Sequence, residues 1–212
     1  MMLIGQYDSP FVRRVGVALT LYGIAFEHQP WSTFGDADKI AAYNPLRRVP
    51  TLVLDDGQVL VDSFAILETL DEMVGPERAM LPRSGPDRRE GLRVCALAAG
   101  VADKGVALVY EGALREQALP LWVERCRAQI GDTLAQLEAE RAARPGPYWF
   151  GDRISHADIL LTTMQRFLSE ALQGAIPMEA YPALRAHAER CEALEAFQTI
   201  LQPYSLAPPP EA

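Results

Sequence analysis

The chain has 212 residues, enough for one large domain or two small ones with a real core. Its 49% hydrophobic and 23% charged content is that of an ordinary globular protein, and a net charge of −8 argues against a general nucleic-acid binder, which needs a basic surface. Of the 20 basic residues only Lys39 and Lys104 are lysines, a bias that goes with the abundant alanine rather than with a function.

The first 75 residues change period repeatedly. Residues 2–5 (MLIG) read as a short buried strand. "SPFVRRVGVALTLY" then places Val12, Val15, Leu19 and Tyr22 on one helical face, with Arg13 and Arg14 outside it, and Gly23 ends the helix. Residues 25–31 read as a second strand and 36–43 as a short helix stopped by Asn44-Pro45. In "VPTLVLDDGQVLVDS" two strand-like runs are joined by Asp55-Asp56-Gly57, a hairpin signal. Residues 63–73 close the half as a helix with Phe64, Leu67 and Leu70 inward. The order is βαβαββα, in which the βαβ unit supplies parallel strands and the hairpin antiparallel ones.

"GPERAMLPRSGPDRRE" has three prolines and two glycines among charges and reads as a linker. Beyond it strand patterns vanish. Residues 88–116 and 120–143 are long helical stretches, broken by the turn "PGPYWFGD". "ISHADILLTTMQRFL" then carries a full helix-start signature: Ser155 as N-cap, Asp158 as its capping-box partner, and Ile154 with Ile159 as the staple. Helices over 181–193 and 194–201 precede a PPP tail expected to be disordered. The domains expected are residues 1–76, a linker over 77–90, and an all-helical second domain over 91–212.

Cys95, Cys126 and Cys191 are odd in number and widely spaced, which fits neither a disulfide framework nor a metal site and suggests a reducing cytoplasm. His28, His156 and His187 are equally scattered, so no metal is expected. The first apolar run lacks a basic n-region, so secretion is not expected, and no apolar run nears the roughly 20 residues that span a membrane.

Three short stretches have two uses. Asp8-Ser9-Pro10 is a helix start, but the same geometry leaves a hydroxyl at the positive end of a helix, where an anion would be held. Asp62-Ser63 has the same ambiguity at a second helix. Val49-Pro50 is either a simple strand entry or a shaped corner of a site.

"SPFVRRV" after the first strand, "NPLRRVPTLV" leading into the third, and "DSFAIL" opening the closing helix together resemble the cytosolic glutathione S-transferases, most closely bacterial members with a serine after the first strand. The resemblance covers nearly the whole chain. It implies a thioredoxin-like first domain, an all-helical second domain, glutathione as co-substrate or cofactor, no metal, and a cytoplasmic homodimer. It further implies that Ser9 donates a hydrogen bond to the glutathione sulfur as the catalytic residue. Glutathione would be bound by Ser9, Phe11, Arg48, Val49, Pro50, Asp62 and Ser63. In that assignment a cis Val49-Pro50 bond frees the Val49 peptide groups to dock the cysteinyl backbone, Arg48 reaches the glycyl carboxylate, Ser63 takes the glutamyl carboxylate and Asp62 faces the ammonium.

One position departs from the family pattern. Arg47 stands where the family has glycine, so a requirement for positive φ there would leave the arginine strained. The second domain would supply a pocket for a small hydrophobic electrophile, with Leu108, Tyr110 and Leu114 as candidates and Trp122 beside them. At helical spacing such residues also suit a core. Asp103-Lys104 faces either a dimer cleft or water. The expected activity is transfer of glutathione to an electrophile, a detoxification chemistry. The alternatives are a glutathione-dependent isomerase, dehalogenase or peroxidase on the same fold, or a non-catalytic regulatory relative acting through a protein partner.

Overall fold

The computed structural model describes residues 1–206; residues 207–212, on which the expected disordered PPP tail falls, lie outside the described residues. Contacts divide the chain into two compact units. The first is Met1–Pro82 with the segment from Glu195 on, and the second is Arg83–Leu194.

In the first unit the strands β1 (Met2–Ile4), β2 (Glu27–Gln29), β3 (Thr51–Val53) and β4 (Val59–Val61) form one sheet in the order β2-β1-β3-β4. β1 pairs with β2 in parallel and with β3 antiparallel, with Leu3 opposite both His28 and Leu52. β3 and β4 form the expected hairpin, turned at Gly57 with φ 87°. Helices α1 (Pro10–Tyr22), α2 (Ala37–Ala41) and α3 (Ser63–Val74) complete the thioredoxin-like βαβαββα order. β2 and α2 are shorter than expected by several residues. Leu3, Ile4, Val12, Val15, Leu19, Leu52, Ile66 and Leu70 are wholly buried between sheet and helices, each contributing about 1.5–3 kcal/mol by leaving water.

Three expectations for this unit are corrected. Arg13 and Arg14 are not on a solvated face but 2% and 1% exposed. α1 is apolar almost all round, and a helix of that kind is covered on all sides, so no wet face remains for its arginines. Arg13 instead donates from Nε to the Ile200 carbonyl (2.8 Å) and from Nη2 to the Phe197 carbonyl (3.0 Å). These bonds draw the last helix, α8 (Glu195–Thr199), onto the first unit, whereas the sequence placed everything past residue 90 in the helical domain. Phe64 is half-buried rather than inward, because Ile66, Leu67 and Leu70 take the core face of α3.

The second unit is all-helical: α4 (Pro86–Leu114), α5 (Pro120–Ala142), α6 (His156–Ala171) and α7 (Pro182–Glu192), with a 3-10 turn at Met178–Ala180. α4 starts inside the stretch read as a linker, with Pro86 in its first turn, where the missing N–H costs nothing. The capping box of α6 is present. Asp158 is wholly buried and its carboxylate accepts from the N–H of Ser155 (2.7 Å), the Ser155 hydroxyl (2.6 Å) and the Trp149 N–H (2.7 Å). Cys95, Cys126 and Cys191 are buried, and among the described residues none of them forms a disulfide. Among the described residues no helix is long and apolar enough to cross a membrane.

Candidate active site

The site is built around the first turns of α1. After β1 the chain passes through Gly5 at φ 128°, where an added Cβ would stand 2.5 Å from Val12 Cγ2 and 2.7 Å from Val49 Cβ. Only glycine lets the start of α1 and the approach to β3 close on the same point. The loop that follows is held from several sides. His28 Nε2 lies 2.7 Å from the Gly5 carbonyl, which can only accept, so that nitrogen carries the proton. The His28 ring stacks on Tyr7 at 3.8 Å and 8°. The Tyr7 N–H donates to Gln202 Oε1 (3.1 Å) and the Ser205 N–H to Asp8 Oδ2 (3.2 Å). Burial pushes the Tyr7 phenol up to about 12 and lowers His28, so both are neutral near pH 7.

Ser9 is the N-cap of α1, in extended conformation (φ −71°, ψ 125°), with Pro10 in the first turn. Its hydroxyl accepts the Val12 N–H at 3.4 Å. Among the described residues it donates to no protein acceptor. Ser9 therefore caps the helix while its one proton stays available, at the end where the helix dipole favours an anion. Phe11, half-buried, follows in the first turn.

Val49-Pro50 is cis. Among the described residues the Val49 N–H and C=O have no protein partner. Buried Asn44 fixes the approach by donating from Nδ2 to the Arg48 carbonyl (2.9 Å) and to Thr51 Oγ1 (3.1 Å), and by accepting the Leu46 N–H (3.0 Å). That leaves the Arg48 side chain exposed. Arg47 has φ 53°, the left-handed conformation that suits glycine, and its guanidinium meets Asp38 Oδ1 at 2.7 Å.

At the third corner Asp62 caps α3 from a positive φ of 71°, its carboxylate accepting the Phe64 N–H at 2.8 Å. Ser63, the first residue of α3, is 2% exposed and accepts from Arg14 Nη1 at 3.3 Å. α1 thus touches all three motifs: it begins at Ser9, packs at Val12 beside Val49, and reaches Ser63 through Arg14. The sequence reading missed Arg14. The signal was present, since an arginine pair within "VRRVGVAL" has no polar neighbours with which to share a wet face.

In the second unit Leu108 is half-buried and Tyr110 and Leu114 are 38% and 51% exposed, so none of the three belongs to the core. Trp122 is half-buried, with the Lys104 ammonium 5.2 Å from its ring centroid, and Asp103 is exposed.

Residues 8–73 match the sequence model of the glutathione S-transferase N-terminal domain and residues 120–190 that of the C-terminal domain. A GST-like protein of Escherichia coli, YibF, is 38% identical over 120 residues, 57% of this chain and 56% of that protein, so the chain matches little more than half its length. Maleylacetoacetate isomerase of Pseudomonas aeruginosa is 29% identical over 93% of this chain and 94% of its own. A crystal structure of a glutathione S-transferase from Methylobacterium radiotolerans, in complex with glutathione sulfonate, superposes with a TM-score of 0.90 at 26% identity, covering 100% of this chain and 98% of that one.

Proposed function

Because the chain belongs to the glutathione S-transferase family, we propose that it binds glutathione in the first unit and activates it as the thiolate for attack on a small hydrophobic electrophile. The observation that carries this is Ser9: a helix-capping hydroxyl whose proton has no protein acceptor among the described residues. A free thiol has a pKa of about 8.5, so most of it is protonated at neutral pH, whereas the thiolate is the nucleophile. A hydrogen bond from Ser9 to sulfur and the positive end of α1 both favour the thiolate. Ser9 needs no base for this role, since it stabilises an anion without losing its own proton.

The unpartnered Val49 N–H and C=O suit the cysteinyl backbone, which would pair with them as an added strand does. Ser63 and Asp62 are assigned to the glutamyl carboxylate and ammonium, Arg48 to the glycyl carboxylate and Phe11 to the wall beside Ser9. Pro50 shapes the site without taking part in the chemistry. Leu108, Tyr110 and Leu114 offer apolar surface for the electrophile. We assign the protein to the cytoplasm, as a homodimer.

A second reading, in which glutathione is a recycled cofactor of an isomerase, is favoured by the nearly full-length match to maleylacetoacetate isomerase. Both need the same thiolate. Calorimetry with glutathione tests their common premise, and product analysis separates them. A stable S-conjugate with glutathione consumed supports transfer, and an isomerised product with glutathione recovered supports the second reading. Absence of binding at millimolar glutathione would overturn both.

A further inference from the structure

Arg13 and Arg14 are adjacent and both buried, yet they are turned to different tasks. Arg13 spends its donors on the carbonyls of Ile200 and Phe197, a tie within the scaffold. Arg14 points to the start of α3: its Nη1 donates to Ser63 Oγ at 3.3 Å, and its guanidinium carbon lies 4.5 Å from the centre of the Phe64 ring. The ring fixes the plane of the guanidinium by cation–π contact.

A guanidinium has donors and no acceptor, so in this pair Ser63 Oγ is the acceptor. The hydroxyl has a single proton, and among the described residues Ser63 gives it to no protein group. The guanidinium repels a hydroxyl proton, so with Arg14 Nη1 at 3.3 Å the Ser63 proton is directed away from it. The neighbouring amide is already committed, because Asp62 takes the Phe64 N–H. The Ser63 hydroxyl is therefore set as a donor at this corner, beside the first-turn amides of α3 that Asp62 does not take.

We propose that Arg14 is a positioning residue for the glutamyl end of glutathione, holding the Ser63 hydroxyl as an obligate donor to the α-carboxylate. This rests on the glutathione reading of the site. A hydroxyl that donates to a carboxylate makes a charge-assisted hydrogen bond, which is stronger than neutral pairing. The chemistry recognised is an α-carboxylate on the γ-glutamyl group, so a thiol peptide without that carboxylate gains nothing from Arg14.

The test compares glutathione with γ-aminobutyryl-cysteinyl-glycine, which lacks only that carboxylate, by calorimetry on the full chain and on Arg14→Met, Arg14→Lys, Ser63→Ala and the Arg14→Met/Ser63→Ala pair. Arg14→Met is expected to weaken glutathione binding about tenfold or more and to change analogue binding by less than about twofold. The pair should lose less than the product of the single losses, since one acts through the other. Arg14→Lys should recover part of the loss, and in turnover assays the KM for glutathione should rise with kcat retained. Arg13→Met serves as the scaffold control: it should lower the unfolding midpoint without changing the preference for glutathione over the analogue.

Equal losses for both peptides, or multiplicative losses in the pair, would overturn the assignment while leaving the glutathione reading intact. Failure of the wild-type chain to bind glutathione would overturn that reading and this inference with it. If Arg14→Met does not fold, Arg14→Lys and Ser63→Ala decide: a preference for the carboxylate-bearing peptide that survives undiminished in both would contradict the proposal.

Discussion

Ser9 Oγ and the Val12 amide nitrogen stand 3.4 Å apart, beyond the roughly 3.2 Å that bounds most N–H···O hydrogen bonds. As a cap the contact is weak. Ser9→Ala is therefore expected to cost less than the about 1 kcal/mol typical of a lost N-cap, measured by urea unfolding. Turnover with glutathione should nonetheless fall at least about tenfold, equivalent to 1.36 kcal/mol of barrier, with glutathione affinity largely kept. A large stability loss with unchanged turnover would mean that Ser9 is a cap and nothing more.

Arg47 sits at φ 53° and its guanidinium meets the exposed Asp38 carboxylate. Left-handed backbone costs an ordinary residue about 1–2 kcal/mol. Glycine would remove that strain but would lose about 0.4–1 kcal/mol through the freer unfolded chain, together with a surface ion pair worth about 0–1 kcal/mol. These terms nearly cancel. Arg47→Gly should shift stability by less than about 1 kcal/mol and leave glutathione affinity unchanged. A much larger loss in urea unfolding, or a drop in affinity, would show that the arginine itself serves the loop.

His187 gives the second unit a pH dependence. It is wholly buried in α7; Arg141 Nε donates to its Nδ1 at 3.1 Å, and its Nε2 faces Asp158 Oδ1 at 3.3 Å. Burial first, then the charges of Arg141 and Arg190, bring its pKa from 6.5 to about 3. The unfolded chain takes up a proton at this imidazole as pH falls through about 6.5, and the folded chain does not, so stability is full above that value and declines by about 1.4 kcal/mol per pH unit below it. Burial raises Asp158, which acts in the opposite sense just above the ordinary carboxylate range. His187→Gln should flatten the fall in unfolding free energy between about pH 7 and about 5.5. Equal slopes in variant and wild type would contradict this.

The parts of the fold legible in the sequence were those with local causes. The Asp55-Asp56-Gly57 turn, the Ser155–Asp158 capping box and the Ser9-Pro10 start of α1 each depend on residues a few positions apart, and all three are present. The buried arginines were not legible from helix period alone, because what covers Arg13 is Ile200, 187 positions away. The positive φ of Arg47 was foreseeable only as a condition, since arginine gives no sign of it. Phe64 shows a further limit: helical spacing placed it inward, but the guanidinium of Arg14 claims its ring at the edge of the core. At the candidate site, sequence supplied the corners Ser9, Val49-Pro50 and Asp62-Ser63. That Gly5 lets Val12 and Val49 converge, and that Arg14 joins α1 to Ser63, needed the three-dimensional structure.

The most direct test of the central claim is a titration of the glutathione thiol bound to the protein, followed by the ultraviolet absorbance of the thiolate across pH. The account predicts an apparent pKa well below the free-thiol value of about 8.5 in the wild-type complex, returning toward that value in Ser9→Ala. A bound thiol that titrates at the free value in the wild-type chain, or one equally lowered when Ser9 is alanine, would contradict it.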